Sequence, residues 1–349
     1  MSRAVVCAPP DESVDATVAR IRRRQARFVA VSSGAVVGGA PAATLKRAQA
    51  IGLGGVKVSD VAWRELPVVD PRRGEIAVRR LLIEGAQAVL VKEGGRVVGV
   101  VEQPKAWTPP SPLSLKPLIK RQLSPAVVDF LSETGLAADR MKMQVFAVGG
   151  FVRDLLLGGR PEQDFDLVVH GDGPAFARRL ARRLGGSLSV YRAFGTATIE
   201  GASIGRVDVA TARREHYAEP GALPTVTTRA SVADDLRRRD FTINAMAVSL
   251  SPRTFGDLLD PAGGWWDLRH RTVRALHPLS FVEDPTRIFR AVRYAVRLGF
   301  SLDRDTKRLL TTAAGMGEYP ALSGQRLLAE IDLIAAEARP HRTLTDRGG

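Results

Sequence analysis

Asp164 and Asp166 stand two residues apart in the apolar run Asp-Phe-Asp-Leu-Val-Val. If that run is a strand, alternation puts both carboxylates on one face. Two hard oxygen donors on a rigid face suit a pair of magnesium ions that hold a nucleoside triphosphate. Just upstream, Val-Gly-Gly-Phe-Val-Arg-Asp sets Gly149 and Gly150 ahead of Arg153 and Asp154. Glycines at a strand end let backbone N–H groups come close to a phosphate.

Three further stretches carry candidate chemistry. Asp208 lies in the alternating run Val-Asp-Val-Ala-Thr and supplies a third carboxylate, to bind metal or to polarise an attacking hydroxyl. Arg237, Arg238 and Arg239 are consecutive, so on a helix they spread around the circumference and cannot form one patch. Arg239 and Asp240, directly before an apolar run, are better placed to be fixed in a site, and Asn244 both donates and accepts, which suits a ribose hydroxyl. Glu283 and Asp284 open a helix with Pro285 at its first turn. Arg287, Arg290, Arg293 and Arg297 follow at helical spacing and line one face. Asp284 and Arg287 form an acceptor and a guanidinium fork that can read a base edge without a nucleic-acid template. Taken alone, such a run also describes a salt-bridged surface helix.

These residues need strands and helices to hold them. Around the acids the pattern predicts a strand Gln144–Val148, a short helix Phe151–Leu157, a strand Phe165–Val169, and a helix from Pro174 to about Leu184. Strands follow at Leu188–Tyr191, Thr196–Glu200 and Gly205–Ala210. Beyond Phe281 the pattern is helical over Pro285–Leu298, Asp303–Ala314 and Gly324–Ala338. Nearer the N-terminus, two segments look alike. Each has a helix (Ser13–Arg24; Glu75–Glu84) and then a strand, a tight turn and a second strand: Arg27–Val31 with Ala35–Gly38, and Ala88–Lys92 with Arg96–Val101. The order repeats at about 60 residues, which marks an internal duplication. Five prolines between Pro104 and Pro117 interrupt regular structure and mark a linker, followed by a helix Ala126–Ala138.

The chain has 349 residues, room for two or three domains. Its single cysteine, Cys7, excludes an internal disulfide and points to a reducing compartment. No apolar run approaches the roughly 18 residues of a membrane span, and the N-terminus shows no signal-peptide apolar region. A soluble, cytoplasmic protein without membrane partners is expected. The net charge of +14 favours a polyanionic partner, most simply nucleic acid. It is spread along the chain, and an arginine-rich genome would produce part of it without function.

In this order, GGFVRDLLLG…DFD, DDLRRRDFTINAMA, DPAGGWWDL and EDPTRIFRAVRYAVRLGF resemble the class II tRNA nucleotidyltransferase and bacterial poly(A) polymerase family over roughly residues 140–335. The resemblance implies an α/β (α+β) fold: a polymerase-β-like nucleotidyltransferase head at 126–275 and the start of an all-helical neck at 276–338. The duplicated N-terminus, 1–103, resembles a tandem pair of CBS domains, joined by a linker at 104–125, with a flexible tail at 339–349. Asp164 and Asp166 match the family's metal-binding carboxylates and Asp208 its third acid. Gly149, Gly150 and Arg153, with Asp154, match its triphosphate motif. Arg239, Asp240 and Asn244 fall in its ribose motif, and Asp284, Arg287 and Arg290 in its base-reading helix. Asp260–Leu268 matches an element held to be flexible. The implied activity is transfer of CMP or AMP to a tRNA 3′ end with two Mg2+ ions and with ATP and CTP as substrates. Poly(A) tailing of RNA is the alternative. A CBS pair implies an adenine-nucleotide site, a homodimer contact, or a regulatory module with an inactive head. Family members of this subset carry a DHH-like domain before the pair and helical domains after the neck, so a fragment or a naturally short member is expected.

Overall fold

In the computed structural model, which describes residues 5–33, 35–64, 66–102, 113–161, 164–228 and 230–337, the chain divides into two units. One contains Met1–Gln103, Tyr217–Pro224 and Arg269–Gly349, and the other Pro104–His216 and Thr225–Leu268. The tail at 339–349, much of the proline-rich stretch (103–112) and Gly34 of the first predicted turn lie outside the described residues.

The first unit begins with the duplication. Strand β1 (Val5–Ala8) precedes helix α1 (Val14–Arg24), where the Ser13 hydroxyl accepts from the Ala16 amide and caps the helix. Strands β2 (Phe28–Ser33) and β3 (Ala35–Pro41) follow, and then helix α2 (Ala42–Ala50). The second copy has strand β4 (Val68–Val69), helix α3 (Gly74–Ile83), strand β5 (Ala88–Glu93) and strand β6 (Arg96–Glu102). In both copies the first two strands pair parallel and the last two antiparallel. The antiparallel ladders shift register at corresponding places, Val31/Ser32 and Val91/Lys92. The sequence pattern had shown the helix and the hairpin but not β1, β4 or α2. Strands of two to four residues are too short to show a period.

The second unit holds the acids. Helices α4 (Lys116–Gln122) and α5 (Pro125–Asp139) lead into strand β7 (Gln144–Val148) and helix α6 (Gly150–Leu156). Helix α4 lies in the stretch read as linker. Pro117 falls in its first turn, where no amide partner is lost, and Ile119 is fully buried. Then come strand β8 (Asp164–His170), helix α7 (Gly173–Leu184), and strands β9 (Ser187–Tyr191), β10 (Thr196–Ala202), β11 (Gly205–Thr211), β12 (Arg213–His216) and β13 (Thr225–Thr228). Helix α8 (Val232–Arg237), strands β14 (Ala247–Ser249) and β15 (Leu258–Leu259) and helix α9 (Gly264–Arg269) complete it. One mixed sheet runs β15-β14-β7-β8-β11-β10-β9. On β8, Phe165, Leu167 and Val169 are buried, while Asp164 and Asp166 are exposed. Phe165 packs against Phe130 and Phe151, with ring centroids 4.9 and 5.6 Å apart, so α5 and α6 cover the face opposite the acids.

The remaining elements rejoin the first unit. Strand β16 (Thr272–Val273) pairs with β17 (Ser301–Leu302) around helices α10 (Ser280–Glu283) and α11 (Thr286–Leu298). Helices α12 (Arg304–Gly315) and α13 (Gly324–Ala335) follow. Leu279 is buried in the same apolar cluster as Val14, Val18, Ile21 and Leu45 of the first repeat. Among the described residues, no helix is long and apolar enough to cross a membrane.

Candidate active site

Strand β7 ends at Val148, and Gly149 turns the chain into α6 with φ of 68°, a conformation that favours glycine. A Cβ on Gly149 would lie 3.0 Å from Arg239 Nη1 and 3.5 Å from Asp166 Oδ2. The glycine turn, the strand acid and this arginine therefore converge. On the neighbouring parallel strand, Asp208 stands opposite Asp166 and Arg206 opposite Asp164. Asp208 accepts from Thr198 Oγ1 at 2.5 Å and from Arg206 Nε at 2.9 Å. A cavity of about 360 Å³ opens here, lined by Asp166, Asp208, Arg239, Thr198 and Tyr191 among others.

Electrostatics mark Asp166. Its carboxyl is accessible to solvent, but the surrounding protein desolvates it and pushes its pKa above the ordinary carboxylate value. Asp208 and Asp164 add to the rise, and Arg239 opposes it. Crowded like charges of this kind are relieved by a cation. Among the described residues no three acids, histidines or cysteines close into a cage. Carboxylates that leave most of the coordination shell to water and substrate phosphates suit magnesium rather than an all-protein site. The Arg239 Nε is buried and makes no hydrogen bond.

The other predicted residues of this unit form a layer beside the turn. Arg153 is 3% exposed, and its fork is bidentate on Asp154, at 2.8 and 2.9 Å. Its Nη1 donates to Asn244 Oδ1 at 2.7 Å, and Asn244 Nδ2 donates to Asp240 Oδ1 at 3.1 Å. The stretches expected to serve the triphosphate and the ribose are thus joined in one network, with Arg153 turned inward. The Asp-Pro-Ala-Gly-Gly element is tied as well. Asp260 accepts from the Gly264 and Trp265 amides at 2.8 Å, and Asp267 accepts from Thr242 Oγ1 at 2.6 Å.

Asp284, Arg287 and Arg290 belong to the first unit. Asp284 Oδ1 accepts from Arg326 Nη2 at 2.7 Å and from Thr286 Oγ1 at 2.6 Å, while Arg287 Nε is 3.8 Å from its other oxygen. Arg287 is buried and donates to Ser280 Oγ at 2.8 Å. Arg290 and Arg293 both reach Glu330 on α13, at 3.3 and 3.5 Å. Arg290 and Arg293 thus stand in a packing seam between α11 and α13, while Arg297 of the same predicted face is exposed.

Sequence reasoning had passed over Arg206, Thr198, Tyr191 and Arg326. Arg206 was within reach, because it lies two residues from Asp208 on the same strand face. The other three enter through hairpin register or helix packing.

A strand-end glycine turn followed by paired acids on the next strand, with a third acid on its parallel neighbour, defines a nucleotidyltransferase head. Residues 145–274 match the Poly A polymerase head domain family. Over 232 residues the chain is 47% identical to an A-adding tRNA nucleotidyltransferase of Geobacter sulfurreducens, covering 66% of this chain and 26% of that protein. It is 40% identical to the A-adding tRNA nucleotidyltransferase of Halalkalibacterium halodurans, covering 64% of this chain and 52% of the other. A CCA-adding enzyme solved with ATP superposes with a TM-score of 0.60 at 37% identity, over 66% of this chain and 53% of its own. The chain thus spans about half or less of the length of these relatives. Residues 145–274 thus carry a head of the Poly A polymerase head domain family, and the chain is similar to tRNA nucleotidyltransferases over about two thirds of its own length.

Proposed function

We propose that this protein is a template-independent nucleotidyltransferase that adds nucleotides to the 3′ end of tRNA, with terminal A addition as its reaction. The observation that carries the reading is the convergence of Gly149, Asp166 and Arg239 beside Asp208. Identity to A-adding relatives supports A addition as the product. The tRNA 3′-hydroxyl attacks the α-phosphate of ATP, and pyrophosphate leaves. Asp164 and Asp166, with Asp208 beside them, would hold Mg2+, which would lower the pKa of the hydroxyl and offset charge on the leaving phosphates. The Gly149–Gly150 backbone and Arg239 position the triphosphate. Arg153 keeps Asp154, Asn244 and Asp240 in place for the sugar. Asp284 and Arg287 read the base by hydrogen bonding, with Arg290 one turn further along the same helix. The duplicated N-terminus is read as a CBS pair on its repeated strand–helix–strand–strand topology. An adenine nucleotide and a second copy of the chain are its expected partners.

Three tRNA transcripts, ending before CCA, after C and after CC, test this with magnesium and ATP, CTP or both. Addition of one A to the CC end alone is expected. Completion from the bare end would make the enzyme CCA-adding, and long ATP-dependent tails would make it a poly(A) polymerase. A folded chain that extends none of them would overturn the reading.

A further inference from the structure

Arg47, on α2 of the first repeat, reaches Glu283 and Tyr217, neither of which is assigned to nucleotide transfer. Its guanidinium is ion-paired with Glu283, a fully buried carboxylate at the end of α10. The same guanidinium carbon lies 6.0 Å from the centroid of the Tyr217 ring. The Tyr217 hydroxyl accepts from Arg287 Nη2 at 3.5 Å. Ser280, at the other end of α10, accepts from Arg287 Nη1 at 2.8 Å. Glu283 directly precedes Asp284 in the chain. Arg47 thus touches two supports of the Asp284–Arg287 pair: the short helix that ends beside Asp284, and the tyrosine against Arg287.

Another basic group near Glu283 is the imidazole of His277, with Nε2 at 3.8 Å. Burial, reinforced by Arg47 and Arg287, holds the His277 pKa well below its ordinary value, so the ring is neutral at pH 7. A buried carboxylate that loses a paired cation must move, take up a proton or draw in another group. A move of Glu283, at the end of α10, carries the adjoining Asp284 with it. The contact is not a local one, since Arg47 and Glu283 are 236 positions apart in the chain.

We infer that Arg47 is a positioning residue for base recognition: through Glu283 and Tyr217 it holds Asp284 and Arg287 in reading geometry, so that nucleotide choice depends on the N-terminal repeat. This rests on the assignment of Asp284 and Arg287 to the base. The first repeat is then part of the selecting machinery rather than a separate appendage. Whatever shifts α2 also biases which nucleotide is accepted.

The test is equilibrium binding of ATP and of base-free ribose 5′-triphosphate to the full chain. Four proteins are compared: wild type, Arg47→Met, Arg47→Lys, and Arg47→Met combined with Glu283→Gln. Arg47→Met is expected to weaken ATP about tenfold and to leave the base-free triphosphate unchanged. A merely structural loss would weaken both together. Arg47→Lys falls between wild type and Arg47→Met, because a point charge replaces the fork. Adding Glu283→Gln restores most of the ATP affinity, since no buried charge is left to balance. If Arg47→Met does not fold, Arg47→Lys and the double variant carry the same comparison. A wild-type preference for ATP that survives in the variants overturns the inference alone. A wild type that binds ATP no better than the base-free triphosphate overturns the base-reading assignment, and the inference with it.

Discussion

Asp166 and Asp260 are both carboxyls with raised pKa values, for different reasons and with different consequences. Asp166 is crowded by Asp164 and Asp208 as well as desolvated. Asp166→Asn removes a repelling charge, so incorporation should fall at least about 1,000-fold while thermal stability holds or rises by up to about 1 kcal/mol. A parallel loss of stability in the melting curve would argue against a site under electrostatic strain. Asp260 is buried, and burial pushes its pKa up to about 6, against the pull of three backbone amides. The folded chain therefore holds this proton more tightly than the unfolded one. Stability from this group is full below its ordinary value near 4 and is lost as pH rises toward 6, by up to about 3 kcal/mol. Asp260→Asn should flatten that part of the pH profile, which urea denaturation at pH 4, 5, 6 and 7 would show.

At the level of elements, the site depends on close backbone approaches. A Cβ on Gly264 would lie 2.1 Å from the Thr242 carbonyl oxygen and 3.0 Å from Met246 Cγ. The start of α9 is thus pressed against the segment that carries Asn244. Gly264→Ala should cost about 1–3 kcal/mol and disturb Asn244, lowering both the melting temperature and ATP affinity. An unaffected melting temperature would show that α9 yields easily. The Asp260–Leu268 element has a fully buried Asp267 and an amide-bound Asp260, so its turn is tied internally by hydrogen bonds. If it shifts between substrates, it shifts as a body.

On the scale of the whole molecule, the first unit is assembled from segments distant in sequence. Asp305 on α12 accepts the Arg64 amide with both oxygens, at 3.0 and 2.9 Å, and Arg308 donates to the carbonyls of Ser59 and Ala62. Together with Leu279 in the repeat's apolar cluster, this makes the helices after residue 276 dependent on the N-terminus. A chain beginning at residue 104 should lose amide-exchange protection over α10 to α12 while β7, β8 and β11 keep theirs. Full protection of α12 in that shortened chain would show that the helices stand alone.

The sequence by itself determined the strand–turn–helix around Gly149, the placement of Asp164 and Asp166 on one face, the duplicated hairpins and the helices after Phe281. Each of these is local: a period of two or 3.6, a glycine with positive φ, or a proline at a helix start. The motif order also carried the resemblance to nucleotidyltransferase heads. Only the tertiary structure decided the partners. Register set Asp208 opposite Asp166, and packing turned Arg153 inward to Asn244. Helix docking gave Asp284 to Arg326, and Arg47 found Glu283 across most of the chain. Charged side chains look alike in a sequence whether they face solvent or a buried counter-charge. What separates them is desolvation, which exists only once distant segments have packed.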